Sequence, residues 1–236
     1  MPTLALGAFP GWFARIMELR IDVDPGSWKL DSELDTLYGR ITRPGDRLHD
    51  MPEAKTEIPG LVLRYREADG EFYVYVVDQA RGRLAGYTVF NRLVELGRRA
   101  DPLLRAPHSK YDPAYQRRGL AAAVYRWGLD AGQCLITGAR QSNGARALWL
   151  SLARQYDSGY VDLRRKVLTS LGPQVPDPVL HDLHTRMVLL GRGWTWQGLA
   201  GAAGMKGEVL IKPPASLQNL SGLSQNARYA APREGL

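Results

Sequence analysis

Tyr111-Asp112-Pro113-Ala114-Tyr115-Gln116-Arg117-Arg118-Gly119-Leu120-Ala121 is the stretch on which the fold turns. Residues 104–111 ahead of it read as an extended segment. Behind it helical spacing takes over, with Leu120, Val124, Trp127 and Ala131 on one face and Gly132 as a stop. A strand that runs through a glycine-containing turn into a helix is a device for holding phosphate. Gly119 lets the backbone approach a ligand with no Cβ in the way. The free N–H groups of the first helical turn converge on an anion, and the helix dipole adds to the attraction. Arg117 and Arg118 reinforce it at the rim. A single glycine at such a turn is also an ordinary structural feature, so its surroundings decide.

Toward the N-terminus, Leu61-Val62-Leu63-Arg64-Tyr65-Arg66 reads as a strand and Asp69-Gly70 as a hairpin turn. Phe72-Tyr73-Val74-Tyr75-Val76-Val77 is a second strand, rich in aromatic and β-branched residues, and residues 84–93 are a third. Together these predict an antiparallel meander that leads into residues 104–111. Residues 43–59 hold Pro44, Gly45, Pro52 and Pro59 and read as a loop. Asp31 and Glu33, ahead of Leu34, Leu37 and Tyr38, suggest a helix start with acids in its first turn. Trp12, Phe13, Ile16, Met17 and Leu19 after Pro10 suit a short amphipathic helix. With Arg15 inside it and no basic leader before it, this apolar stretch is expected to be folded structure rather than a signal peptide.

Toward the C-terminus, Cys134-Leu135-Ile136-Thr137 is a short buried-type strand. Ser142 then stands where a helix N-cap belongs, with Ala145, Leu148, Trp149 and Leu152 continuing helically. Residues 161–171 suggest a strand and hairpin. Val179, Leu183, Met187 and Leu190 predict a helix over 176–190. From Pro213 onward Ser, Asn, Gly, Gln and Pro dominate, as in a flexible or partner-binding tail. The expected organisation is a core over residues 1–156, a C-terminal extension packed on it over 157–212, and a tail over 213–236. The expected class is mixed α+β, a mostly antiparallel twisted sheet flanked by helices.

Composition narrows the partners. The 236 residues are 44% hydrophobic and 23% charged, ordinary globular values that exclude a mainly disordered chain, a coiled coil or a collagen-like repeat. No run approaches the roughly 18–20 apolar residues of a membrane span, so no membrane partner is expected. One cysteine, Cys134, excludes an internal disulfide and a cysteine-based zinc site, and a reducing, cytoplasmic setting is the simple inference. The net charge of +7 favours anionic partners, either nucleic acid or a phosphorylated cosubstrate. A merely solvated surface explains that charge equally well.

In this context the quoted stretch resembles the GNAT family of acetyl-CoA-dependent N-acetyltransferases. The family's signature is Gln or Arg, two residues, Gly, one residue, then Gly or Ala, and Gln116, Gly119 and Ala121 stand at those positions. Ser142-Asn143-Gly144-Ala145 resembles the start of the family's next helix, and the likeness covers residues 60–156. The resemblance implies acetyl-CoA as cosubstrate, lying where the strand ending at Tyr111 splays from the one holding Cys134. Backbone groups of Gln116, Arg117, Arg118, Gly119, Leu120 and Ala121 would hold its pyrophosphate. Main-chain groups of Ser109, Lys110 and Tyr111 would pair with the pantetheine arm and polarise the thioester. Ser142 and Asn143 would stand near that arm, with Asn143 as a second contact. One departure is plain: where many members carry a tyrosine that protonates the leaving sulfur, this chain has Trp149, whose indole cannot do so.

The resemblance implies transfer to a primary amine of a small molecule, a protein or an aminoacyl-tRNA. His108, on the strand that in this family faces the acceptor, is a candidate base; a strand histidine with satisfied hydrogen bonds is the plainer reading. Asp112 is a rival base, although turn chemistry before Pro113 also explains it. Tyr156 is a candidate for assisting the leaving thiolate. His181 and His184, three apart on the expected helix, lack a third metal ligand and read as an exposed face. Two other functions stay open: a nucleic-acid-binding or -modifying protein, suggested by Arg98-Arg99 and Arg164-Arg165-Lys166, and a non-catalytic partner-binding protein using the tail.

Overall fold

The computed structural model describes residues 27–208, so the expected helix at 10–19 and the tail at 213–236 lie outside the described residues. The chain divides into two compact units between Asp50 and Met51.

In the first unit, helix α1 spans Ser27–Ile41. It starts earlier than Asp31 and Glu33 suggest, so these acids fall outside its first turn. Beyond it the chain turns back, and Asp46 accepts from Arg40 Nε at 3.1 Å and from Leu48 N–H at 3.0 Å. The Arg40 hydrogen bond leads in holding the Asp46 carboxyl below its ordinary range.

The second unit is built on a nine-stranded sheet, with spatial order β1-β2-β3-β4-β5-β6-β9-β7-β8. Strands β2 (Leu61–Ala68), β3 (Glu71–Asp78), β4 (Arg83–Asn91) and β5 (Leu104–Tyr111) form the antiparallel meander that their strand-forming composition and turns predict. Asp69 and Gly70 make the two-residue turn with φ of 56° and 78°. A short strand β1 (Glu53–Lys55) lies in the stretch read as loop and pairs with β2; its Glu-Ala-Lys sequence carries no strand pattern. Helix α2 (Leu120–Asp130) leads to β6 (Cys134–Ile136), and α3 (Asn143–Leu152) follows.

The C-terminal strands join the same sheet. β7 (Ser158–Arg164) and β8 (Val167–Gly172) form a hairpin, and β9 (Thr185–Leu189) lies between β6 and β7, antiparallel to both. The helix expected over 176–190 is therefore corrected to a one-turn α4 (Asp177–Leu180) followed by β9. The Asp182 carboxylate accepts from His184 N–H at 2.8 Å, a turn that competes with helix continuation. The open edges of β6 and β7 then recruit the Thr-Arg-Met-Val-Leu segment as a strand, so tertiary pairing overrides local spacing. Helix α5 (Trp196–Ala203) follows, capped by Thr195 accepting from Gly198 N–H at 3.1 Å, and Lys206 beyond it bridges to Thr169 of β8.

Alternation along the strands divides the core between the two sheet faces. Leu135 packs with Val74, Phe90, Val124, Leu129, Trp149 and Leu152 under α2 and α3. Its neighbours Cys134 and Ile136 face the other way, with Leu104, Ala106, Val161, Leu163 and Leu199. No described helix is long and apolar enough to cross a membrane.

Candidate functional site

The sheet opens in its middle. β5 and β6 run parallel but pair only at Leu104–Cys134 and Arg105–Leu135. Beyond that point β5 continues to Tyr111 bonded to β4 alone, while Ile136 and Thr137 stay with β9. Six residues of β5, a length of about 20 Å, thus border a gap at the carboxyl ends of two parallel strands, where α/β sheets place ligands.

The backbone along that gap is partly unsatisfied. Asp112 N–H donates to Ala85 O at 3.0 Å. Alternation along the pair then turns the N–H groups of Lys110 and His108 toward β4 and those of Ser109 and Tyr111 toward the gap. Pro107, next in the series, has no N–H to leave unpaired. Gly86, whose φ is 152°, is required beside this edge: a Cβ there would lie 2.3 Å from the Tyr111 ring and 2.4 Å from Lys110 O.

The loop from Asp112 to Gly119 is held by side chains, and its N–H groups from Arg117 onward are left free. One Asp112 oxygen accepts from Ala114 N–H at 2.7 Å and the other from Arg83 Nη2 at 2.5 Å. Both oxygens of this candidate base are thus taken up in shaping the turn. The buried Tyr115 hydroxyl donates to Asp78 Oδ2 at 2.7 Å, and Arg81 meets the same carboxylate at 2.8 Å. Burial favours protonating Asp78, but these hydrogen bonds override it and lower the carboxyl to about 2. Gln116 Nε2 donates back to Tyr111 O at 2.9 Å, and the Arg118 guanidinium lies 5.4 Å from the centre of the Tyr115 ring. Arg117 and Gly119 both adopt positive φ, 59° and 79°. A Cβ at Gly119 would meet nothing within 4 Å, so the glycine serves backbone conformation rather than clearance. From Arg117 through Ala122 the N–H groups have no hydrogen-bond partner among the described residues; the first helical bond is Ala123 N–H to Gly119 O. Such an array at a helix N-terminus binds anions.

The other expected site residues are dispersed. His108 is half-buried and, by strand alternation, on the face opposite Ser109 and Tyr111. Burial, with the Lys110 charge behind it, lowers its pKa, so the ring is neutral at neutral pH. Ser142 caps α3, accepting from Ala145 N–H at 3.2 Å, and Asn143 stands exposed at the first position of that helix. Tyr156 is not brought to the loop. Its hydroxyl donates to Asp130 at the far end of α2, 3.0 Å away and about 15 Å of helix from Leu120. Trp149 is 4% exposed and packs edge-on to Tyr125, a core residue. His181 and His184 do not share a helix: His181 caps α4 and His184 sits in the following turn. Cys134 is fully buried, and burial pushes its thiol up to about 11.

Sequence reasoning missed a set of hydroxyls under the gap. Thr88 Oγ1 lies 2.7 Å from Ser109 Oγ and 2.9 Å from the Tyr111 hydroxyl. The Tyr125 hydroxyl, from α2, reaches Pro107 O at 3.4 Å and Ser109 Oγ at 3.5 Å. Burial raises both tyrosines above their ordinary value, so both stay protonated. Tyr125 falls one residue off the apolar face read from the sequence, and Thr88 sits mid-strand, so no motif marked either. Asp78 was equally silent, as the last residue before a turn.

No family model and no curated protein matches this sequence. Among solved structures, nine chains match. One is a GnaT-family acetyltransferase from Bordetella pertussis, 18% identical, covering 59% of this chain and 99% of its own, at a TM-score of 0.36. Another is the GNAT-superfamily phosphinothricin acetyltransferase from Sinorhizobium meliloti in complex with AcCoA, 17% identical, covering 62% of this chain and 70% of its own, at 0.34. A third, a cAMP-binding acyltransferase from Mycobacterium smegmatis, is 11% identical, covers 81% of this chain and 61% of its own, at 0.38. The family suspected from the Gln116–Ala121 signature recurs among these matches. At such identities and TM-scores the likeness says nothing of donor, acceptor or chemistry.

Proposed function

We propose that this chain is an acyl-CoA-dependent N-acetyltransferase that moves the acetyl group of acetyl-CoA to a primary amine. The observation that carries the reading is the gap between β5 and β6 ending at the unpartnered N–H groups of residues 117–122. A nucleotide pyrophosphate fits that array, with Arg117 and Arg118 at its rim. The amides of a pantetheine arm fit the free edge of β5 at Ser109 and Tyr111, and Asn143 at the start of α3 would be a second contact.

In this reading the amine nitrogen attacks the thioester carbonyl carbon, and the oxyanion is stabilised by an N–H group of the β5 edge. Neutral His108 takes the proton that the amine loses, directly or through water. The C–S bond then breaks and the sulfur departs as a thiolate, which a thiol pKa of about 8.5 makes a tolerable leaving group. Asp112 and Tyr156, engaged with Arg83 and Asp130, position the loop and the far end of α2 rather than the chemistry. The test is release of free CoA thiol from acetyl-CoA on addition of primary amines: polyamines, amino acids, lysine peptides and aminoacyl-tRNA. Amine-dependent release supports the reading; release equal to hydrolysis without amine, across all four classes, overturns it.

A further inference from the structure

The backbone segments that carry the two basic clusters, far apart in sequence, come together in the fold. A Cβ at Gly97 would lie 2.8 Å from Lys166 O, so the backbone just before Arg98-Arg99 abuts the β7–β8 turn that carries Arg165 and Lys166. Beside this junction is a cavity of about 680 Å³, within the range of about 300–1,000 Å³ typical of small-molecule sites. Its apolar lining includes Leu163, Leu183 and Val94, the last two 54% and 87% exposed. Its polar lining is Arg164, Arg165, Lys166, Arg186, His184 and one acid, Glu95.

Arg186 is the built element. It is only 3% exposed, its Nη1 donates to the carbonyls of Leu183 and Thr185, and its Nε has no partner. That Nε is closed off even from water, so what Arg186 brings to the cavity lining is its buried charge. Glu95, Asp162 and Asp182 lie within electrostatic reach of Arg186. Two of them are already engaged by Arg164, which bonds Asp162 at 2.9 Å and Asp182 at 2.6 Å. Arg165 and Lys166 have no ion-pair partner among the described residues, and their positive φ values, 51° and 63°, place them at the tip of a tight hairpin turn.

We infer that this groove is a second ligand site, separate from the β5–β6 gap, for a small anionic amphiphile whose chain lies on Leu163, Leu183 and Val94 and whose carboxylate or phosphate meets Arg165, Lys166 and Arg186. The apolar half of the lining is what separates this ligand from nucleic acid, whose phosphates would call for a continuous basic track without exposed leucine and valine. The site stands whether or not the chain is an acetyltransferase.

The experiment is calorimetric titration of the full chain with decanoate, and with decanol as its uncharged counterpart. One-to-one saturable decanoate binding is expected, with decanol at least about tenfold weaker. Arg186→Met removes the buried guanidinium and Leu183→Asp spoils the apolar wall; each should weaken decanoate at least about tenfold. Because Arg186 is buried, the paired surface variant Arg165→Glu/Lys166→Glu, which leaves the core untouched, carries the same expectation independently. Equal affinity for decanoate and decanol, decanoate binding unmoved by the paired variant, or tight binding of a 20-nucleotide RNA without any for decanoate would each overturn the inference.

Discussion

The turn before α2 and the turn before α3 follow neighbouring strands, and each opens a helix at the carboxyl end of a parallel pair. They treat their backbone in opposite ways. At α3, the Ser142 side-chain oxygen accepts from Ala145 N–H, so the helix satisfies part of its own N-terminus. At α2 the capping residue is Gly119, which has no side chain to offer, and six successive N–H groups go unpartnered. The hydrogen-bonding side chains of that region are spent instead on fixing the loop from behind, through Asp112 to Arg83, Tyr115 to Asp78 and Gln116 to Tyr111 O. A helix N-terminus that is held from behind and yet uncapped suits an anion; one that is capped is a structural start.

The largest effect that would break this contrast comes at Gly119. Gly119→Glu puts a carboxylate where the pyrophosphate is expected and should weaken acetyl-CoA at least about 100-fold. Gly119→Ala meets the same positive φ without the charge. It should cost about 1–2 kcal/mol of stability and change affinity far less, as read by calorimetry and by chemical denaturation. Equal losses in the two variants would assign the effect to strain and remove the anion site.

His108→Ala should lower turnover about 100-fold at neutral pH. The sign of its pH dependence follows from burial. The imidazole pKa is lowered from 6.5, so the neutral, proton-accepting form is present throughout neutral pH and is lost as pH falls through the lowered value. The wild-type rate should therefore show an acid limb below pH 6.5 that the variant lacks. A variant that scales the whole profile uniformly would make His108 structural.

Asp78→Asn sharpens the contrast from behind the loop. It should cost about 2 kcal/mol through the buried hydrogen bonds it weakens and reduce acetyl-CoA affinity several-fold. The Asp78 carboxyl is depressed from 3.8 to about 2, so its contribution is complete above pH 4 or so and is lost as pH falls toward 2. Urea denaturation across that window should show the loss in the wild type and a flatter response in the variant. The smallest effect is expected at Ser142→Ala: about 1 kcal/mol of stability from the lost cap, with acetyl-CoA affinity within about threefold of wild type. A larger affinity loss than at Asp78→Asn would reverse the roles of the two turns.

Much of this was legible from residue order because it is local. Asp69-Gly70 announces its hairpin, the strand-forming runs of β2 to β4 with their turns announce the meander, and Ser142 announces the start of α3. The gap itself was not legible from periodicity, since nothing in residues 106–111 says that pairing with β6 stops after Arg105; only the resemblance implied it. The β9 segment misread as helix shows the same limit, because its strand state comes from the edges of β6 and β7 rather than from its own spacing. Within the site, the Gln116–Ala121 motif was visible, while its supports were not. Asp78 and Arg83 act across 37 and 29 residues of chain, and such pairings leave no local pattern. Tyr156, a candidate for assisting the leaving thiolate, shows the same limit, since no local pattern announces that the fold bonds its hydroxyl to Asp130.

The most direct test of the α2 turn is calorimetric titration of the full chain with acetyl-CoA, free CoA and inorganic pyrophosphate at low and moderate salt. One-site binding of acetyl-CoA and CoA that persists at moderate salt, with pyrophosphate weaker but competitive, is the expected result. The account is contradicted if acetyl-CoA shows no saturable binding, or if its affinity collapses with salt in step with that of pyrophosphate.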